Sequence, residues 1–300
     1  MPESQHLKGA AYEPIDNPGM RGMVMERTHD RLSPERLRRH LTTQTVGHHV
    51  FVFNSVDSTN SALARLADRG ATEGTVVLAE AQTAGRGRHG SEWFSPAGEN
   101  LYASVLFHPR IAPRELPLFA SIASLALAEA VWLEGAPARI KWPNDVVVHG
   151  RKLAGVLVEA PVISGRVVYV ILGIGVNLNV PATELATALG DNAEAALSLH
   201  EVLGRDVDRN VFAASLLSRL EKWHQTFSTR GPDAVRAAWL ARDALCGRRI
   251  EVRTGDTSCE GWYRGVGTDG SLVLETDDGR TRHIFAGAIR ALDNKPGEDG

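Results

Sequence analysis

Lysine is scarce in this chain of 300 residues: of 33 basic side chains only five are lysines, at positions 8, 141, 152, 222 and 295. Arginine is the default cation, so Lys141 and Lys152 stand out against it. Cysteine is nearly absent as well. Cys246 and Cys259 can build neither a disulfide framework nor a four-ligand zinc site, which suits two free thiols in a reducing cytoplasm. Positive charge is not in excess: 33 Lys+Arg against 36 Asp+Glu leave a net charge of −3, which excludes bulk nucleic-acid binding and makes any cationic cluster a local one. Residues 1–22, mostly polar and small, do not read as the basic-then-apolar pattern of a signal peptide. The longest apolar stretch, 116–133, is broken by Pro117, Ser121, Ser124 and Glu129 and reads as a buried helix, not a membrane span. The histidines, His48 and His49 included, show no HExxH spacing, so no zinc-hydrolase chemistry is indicated.

At roughly 150 residues per domain, the length predicts about two domains. Residues 1–44 lack a sustained hydrophobic period and read as a largely loose tail. One short helix is expected within it, because Ser33 offers an N-cap to Pro34 and Glu35. From 45 to 245 strand-like and helix-like runs alternate, the pattern of an α/β domain. Strands are expected near 50–53, 75–81, 101–107, 140–142, 146–148, 152–159 and 167–176. The last, almost continuously apolar, reads as a central strand buried on both faces. Helices are expected from Asp57 or Ser58 to Gly70, over 114–134, and over 194–203, 210–229 and 233–245. Residues 246–293 change to short β-rich runs separated by Thr-Gly-Asp, Thr-Asp-Gly and Asp-Asp-Gly turns, which indicates a small C-terminal β-barrel or sandwich. Residues 294–300 read as a mobile tail.

Four segments carry chemistry. Gly85-Arg86-Gly87-Arg88-His89-Gly90 satisfies G-x-G-x-x-G, but no helix follows it, so a dinucleotide loop is disfavoured. Its two arginines suit a flexible segment that delivers cations to an anion. Lys141-Trp142-Pro143-Asn144-Asp145 places an amide and a carboxylate at a strand end. Lys152-Leu153-Ala154-Gly155-Val156-Leu157-Val158-Glu159 sets a lysine and a glycine on an apolar strand. Gly173-Ile174-Gly175-Val176-Asn177 has two glycines in a core strand, where a bulge or a close approach of a ligand would explain them. Taken singly, each segment has a plain structural explanation.

In their joint order, GRGRxG, KWPND, KLAGxLxE and GxGxN, with Ser58-Thr59-Asn60, Gln82 and Trp93, these segments resemble the biotin protein ligases over about residues 50–292. The resemblance implies a catalytic domain at 45–245 with a mixed β-sheet and flanking helices, followed by an SH3-like barrel. It implies that biotin is activated with ATP and Mg²⁺ to biotinyl-5′-AMP and passed to a lysine of a biotin carboxyl carrier domain of an acyl-CoA carboxylase. Biotin would be bound by Ser58, Thr59, Asn60, Gln82, Gly85, Arg86, Arg88, Lys152, Gly155 and Gly173. ATP would meet Arg86, Arg88, Trp93, Lys141, Asn144, Lys152 and Asn177, with Trp93 stacking on adenine. Lys152, Arg88 and Arg86 are the catalytic candidates, and Asp145 with Asn144 the candidates for Mg²⁺. The resemblance also implies that Gly155 and Gly173 let the pocket wall approach the ligand. Many family members carry an N-terminal DNA-binding domain, which residues 1–44 are too short to supply, so a monofunctional ligase without DNA or membrane partners is expected. Lipoyl transfer, a biotin-sensing repressor and a nicotinamide oxidoreductase are the competing readings, in falling order.

Overall fold

The computed structural model describes residues 31–292. Residues 1–30 of the expected N-terminal tail and the tail at 294–300 lie outside the described residues. The short helix expected behind Ser33 is present, and the segment 31–44 around it is packed down where the rest of the tail reads as loose in sequence. α1 (Pro34–Arg38) follows Ser33, whose hydroxyl accepts from the Arg36 amide. Leu32 and Leu37 are buried. Carboxylates elsewhere in the chain hold this segment by its backbone: Glu80 accepts from the Leu32 amide at 2.8 Å, and Glu221 accepts from the Gln44 and Thr45 amides at 2.7 Å each. Two apolar residues were too few to signal this docking.

β1 (Val50–Val56) and β2 (Val76–Gln82) run parallel, joined across α2 (Thr59–Ala67). β3 (Leu101–Phe107) and the long α3 (Leu116–Glu134) follow. The chain then makes β4 (Arg139–Lys141), β5 (Asp145–Val148) and β6 (Arg151–Glu159), a small hairpin of β7 (Val162–Ile163) and β8 (Arg166–Val167), and β9 (Val170–Val176). Seven strands form one mixed sheet in the order β1-β2-β3-β9-β6-β5-β4, with β9 at its centre as its apolar run anticipates.

Beyond it lie α4 (Ala182–Leu189), α5 (Leu199–Leu203), α6 (Arg209–Arg230) and α7 (Pro232–Leu240). α4 is unexpected although Ala182, Leu185, Ala186 and Leu189 fall at helical spacing, because a run of eight residues behind Pro181 is short enough to read as part of the loop. The helix expected over 194–203 begins only at Leu199, where Ser198 caps the Glu201 amide, and the one expected over 233–245 stops at Leu240.

Period-2 alternation divides the sheet's two faces. Leu172, Ile174 and Val176 of β9, with Ala103 and Val105 of β3, join the large core under α3 and α6. Ile171 and Leu106 point the other way and pack beneath Ala62 and Leu63 of α2. α2 covers only part of that second face, and the remainder, over β9, β6 and β5, is open. A buried ion pair, Arg209 to Glu80 at 2.7 Å, locks the start of α6 to β2. Arg209 is 2% exposed, so losing either partner alone would strand a buried charge.

The C-terminal β10 (Arg249–Thr254), β11 (Thr257–Val266), β12 (Leu272–Glu275), β13 (Thr281–Ile284) and β14 (Ala288–Ala291) form a five-stranded antiparallel sheet, ordered β13-β12-β11-β10-β14. The three Gly/Asp turns fall where expected. β14 was not anticipated, because it is an edge strand with little apolar alternation. Tyr263 donates to Asp243 at 2.6 Å, and the Trp142 indole donates to the Gly270 carbonyl at 3.0 Å, so this sheet is fastened to the segment after α7 and to the turn after β4.

Candidate active site

The open part of the second face is a cavity of about 340 Å³. Its floor follows from the alternation. With Val156 and Ile174 committed to the core, Gly155, Leu157 and Glu159 of β6 and Gly173 and Gly175 of β9 point toward the cavity side. Three of those five positions are glycine, and the missing side chains are replaced by groups from elsewhere. A Cβ on Gly173 would overlap the Asn60 side-chain amide, and one on Gly175 would lie 2.5 Å from the Trp93 indole. Gly155, paired across the strands with Gly175, has Trp93 and Lys152 as its nearest neighbours, each at 3.3 Å from a Cβ. The glycines therefore admit Asn60 and Trp93 to the wall, whereas direct approach of a ligand was expected. Gly173→Ala is accordingly expected to destabilise the fold by about 1–3 kcal/mol through overpacking, read by urea denaturation. An unchanged midpoint would show that Asn60 moves freely.

Lys152 reaches the cavity through a bulge. Asp145 pairs with Gly155 and Val146 with Ala154, but Val147 pairs with Lys152, leaving Leu153 as the extra residue. Leu153 and Ala154 both enter the core, and Lys152 is thereby turned to the same face as Gly155. Its ammonium lies 2.7 Å from Asp145 Oδ1 and 5.4 Å from the centre of the Trp93 ring. Lys141, opposite Asp145 in the β4–β5 hairpin, lines the same cavity.

The Gly-Arg loop closes one side. The Gly87 amide donates to Ser91 O at 2.7 Å, and the Trp93 amide to Gly85 O at 2.9 Å. Arg88–Gly90 is a single 3₁₀ turn with His89 at φ 53°, and no helix follows, in keeping with the case against a dinucleotide loop. The Arg88 side chain is half-buried, and among the described residues it makes no ion pair or hydrogen bond. Burial pulls its guanidinium below the ordinary value, while Asp145 acts in the opposite sense. Arg86 lines the cavity yet is already engaged, donating to Ser61 Oγ at 2.8 Å and to Glu159 at 3.1 Å.

At the other end lie the hydroxyl and amide groups. Asp57 turns away to a two-pronged pair with Arg65, which holds its carboxyl down at about 2. Ser58 then occupies the N-cap of α2 without a side-chain cap bond and lines the cavity. The Thr59 amide donates to Gln82 Oε1 at 2.9 Å, and Gln82 Nε2 to Ser95 Oγ at 3.0 Å.

The cavity thus gathers Ser58, Thr59, Asn60, Gln82, Arg86 and Arg88 with Trp93, Lys141, Asn144, Asp145, Lys152, Gly155 and Gly173. Gly85 and Asn177 are not among its lining. Asn177 is buried and donates to the Leu197 carbonyl at 3.1 Å, a structural tie that removes it from the expected nucleotide set. Sequence reasoning missed Glu92, Leu157 and Gly175 as lining; Leu157 and Gly175 left a signal, as the second leucine of KLAGxLxE and the second glycine of GxGxN, and Glu92 left none. It also missed Gly287, Ala288 and Ile289, which come from the C-terminal sheet. Four cations and two carboxylates line the cavity, so it favours an anion.

Asn144 Nδ2 donates to Val156 O at 2.5 Å, which fixes the amide beside Asp145. Among the described residues no group of three His, Cys, Asp or Glu could hold a metal. One carboxylate and one amide suit a hard cation that brings water and phosphate oxygens with it, and do not make an all-protein cage.

Residues 52–177 match the biotin/lipoate A/B protein ligase family, and residues 245–289 match the biotin protein ligase C-terminal domain. A biotin–[acetyl-CoA-carboxylase] ligase of Paracoccus denitrificans is 37% identical over 227 residues, covering 75% of this chain and 93% of that protein. One from Mycobacterium tuberculosis is 34% identical over 275 residues, covering 87% and 97%. The solved biotin protein ligase of Aquifex aeolicus, in complex with biotin and ATP, superposes with a TM-score of 0.67 at 26% identity, covering 81% of this chain and 99% of that one.

Proposed function

The chain belongs to the biotin protein ligases, and from that premise we propose how its own residues share the work. The enzyme activates biotin with ATP to biotinyl-5′-AMP and transfers the biotinyl group to a carrier-domain lysine. The observation that carries the division of labour is how the groups are tied together: Thr59 and Asn60 share the Ser104 hydroxyl and Thr59 bonds Gln82, whereas Lys152 stands against Asp145 beside Trp93, with Lys141 opposite Asp145. Ser58, Thr59, Asn60 and Gln82 bind the ureido head of biotin. The apolar wall at Leu157 takes its ring and chain, and the carboxylate is directed toward Lys152 and Arg88.

In the first step a biotin carboxylate oxygen attacks the α-phosphorus of ATP, and the bond to pyrophosphate breaks. Two unit charges about 4 Å apart repel by about 4 kcal/mol at an effective dielectric of 20, so cations must be in place before the attack. Lys152 is held ready by Asp145 and meets the charge that develops on the α-phosphate. Arg88, desolvated and without a partner among the described residues, is left to hold the phosphate of the adenylate once it has formed. Asp145 and Asn144 would hold Mg²⁺ together with phosphate oxygens, and the ion when bound neutralises the triphosphate. In the second step the acceptor amine attacks the acyl carbon and AMP leaves.

As part of the same proposal the acceptor is the carrier domain of acetyl-CoA carboxylase or a related acyl-CoA carboxylase, and the enzyme is cytoplasmic, consistent with unpaired Cys246 and Cys259. Residues 45–245 act as the catalytic unit, with 246–293 as a separate β domain.

Incubation with ATP, Mg²⁺ and either biotin or lipoate, followed by mass analysis, tests the assignment. Biotinyl-AMP alone is expected, and lipoyl-AMP formed at a similar rate would overturn the head-group reading. Trp93→Ala is expected to raise KM for ATP about tenfold while changing that for biotin much less, as loss of aromatic–base stacking implies. Equal weakening of both substrates would mark Trp93 as a wall residue only.

A further inference from the structure

Glu159, at the end of β6, belongs to none of the groups given a role above. Its carboxylate is nonetheless the meeting point of both ends of the site. Oε2 accepts from Asn60 Nδ2 at 2.7 Å, and Arg86 Nη2 donates to Oε1 at 3.1 Å and to Oε2 at 3.2 Å. An ionised carboxylate only accepts, so it pins Asn60 with its amino group outward and its oxygen toward the floor. There Asn60 Oδ1 accepts from the buried Ser104 hydroxyl at 2.6 Å. Ser104 Oγ also lies 2.8 Å from Thr59 Oγ1, and Thr59 is bonded through its amide to Gln82. Gln82 in turn donates to Ser95, whose hydroxyl donates to the Trp93 carbonyl at 2.9 Å. The hydrogen bonds run without a break from Arg86 at the start of the Gly-Arg loop, through the floor, to Trp93 at its far end.

We propose that Glu159 is a positioning residue: it fastens the Gly-Arg loop, by Arg86, to the same floor that presents Asn60 and Thr59 to the ligand. This rests on the reading of Asn60 as part of the biotin head site. It assigns Arg86 to holding the loop in the ligand-free enzyme, in place of the catalytic role expected for it, and leaves Arg88 as the loop cation available to an anion. The Arg86–Glu159 pair is 39% and 40% exposed, so it is a modest catch that opens and recloses, as a loop admitting substrate requires.

Both loop arginines are trypsin sites, which makes the catch measurable without any ligand. The full chain and its Glu159→Gln variant are digested briefly, and new N-termini at Gly87 and His89 are counted by mass spectrometry. Glutamine keeps an acceptor for Asn60 but removes the charge that holds Arg86. Cleavage after Arg86 and Arg88 is expected to be about threefold to fivefold faster in Glu159→Gln, with other sites unchanged. Glu159→Asp, which keeps the charge on a shorter arm, should fall between the two. Glu159→Ala also frees Asn60 and is expected to bind biotin about tenfold more weakly than Glu159→Gln in calorimetry. Equal loop cleavage in wild type and Glu159→Gln overturns the proposal, as does faster cleavage along the whole chain, the mark of a merely structural role. Equal biotin affinity of the Ala and Gln variants overturns the link to Asn60. Failure of the head-site reading is a separate result, since a wild-type protein that binds no biotin would still be judged for the catch by ligand-free digestion.

Discussion

Lys152→Ala is expected to lower the rate of biotinyl-AMP formation by about 10²- to 10³-fold, the loss typical of removing one donor aimed at developing charge. Thermal stability should change little, because the ion pair with Asp145 is partly exposed and such pairs contribute at most about 1 kcal/mol. Two features of the site make the lysine hard to replace. Its stem passes over Gly155, within 3.3 Å of where a Cβ would stand, and its ammonium sits near the face of Trp93. Arginine would bring a wider planar fork into that space, so Lys152→Arg should recover little of the loss. Pyrophosphate release at saturating biotin and ATP measures the effect. Near-normal turnover by a folded Lys152→Ala protein would move the chemistry to Arg88 or Lys141.

For Arg88→Gly the expected result lies after the chemical step. A mixed anhydride acylates any amine it meets, so the enzyme must retain it until the acceptor arrives. Arg88 lines the cavity from the loop side, is half-buried, and has no carboxylate bonded to it. A charge-assisted hydrogen bond to the adenylate phosphate is worth about 1.5–3 kcal/mol, and glycine adds loop freedom as well. Escape of biotinyl-AMP should therefore rise about tenfold to a hundredfold, with synthesis sustained by Lys152 and Lys141. The reaction would label bystander proteins, and a small-amine scavenger would quench it. A variant that makes no adenylate would place Arg88 in the chemical step, and one that labels only the carrier at the normal rate would leave it without a role.

The elements that place the site were largely legible. The apolar run of β9 announced a central strand, and Gly-Arg, KWPND and GxGxN segments met in one cavity because each lies at a strand end or on one strand face. What escaped sequence reasoning has physical causes. α4 is one short run of eight residues behind a proline, and β14 buries too little to imprint a period. Gly173 and Gly175 looked like room for a ligand, and only the fold reveals Asn60 and Trp93 as their occupants. The docking of residues 31–44 depends on Glu80 and Glu221, both distant in sequence and unremarkable within it. Gly287, Ala288 and Ile289 carry no chemistry of their own and enter the cavity through an interdomain contact that no local pattern encodes.

The extra residue at Leu153 sets the reading frame of β6. Downstream of it odd-numbered positions face the ligand and even ones the core, and upstream the parity is reversed. Lys152 and Gly155, three residues apart on an extended strand, can share a face only because of that slip. The K-L-A-G spelling is thus partly a statement about spacing. Substitution at Leu153 alters packing, whereas insertion or deletion there exchanges a core side chain for the reactive ammonium. Length variation between Lys152 and Gly155 is closed to this fold, and chain length elsewhere, in the β7–β8 hairpin for example, carries no such constraint.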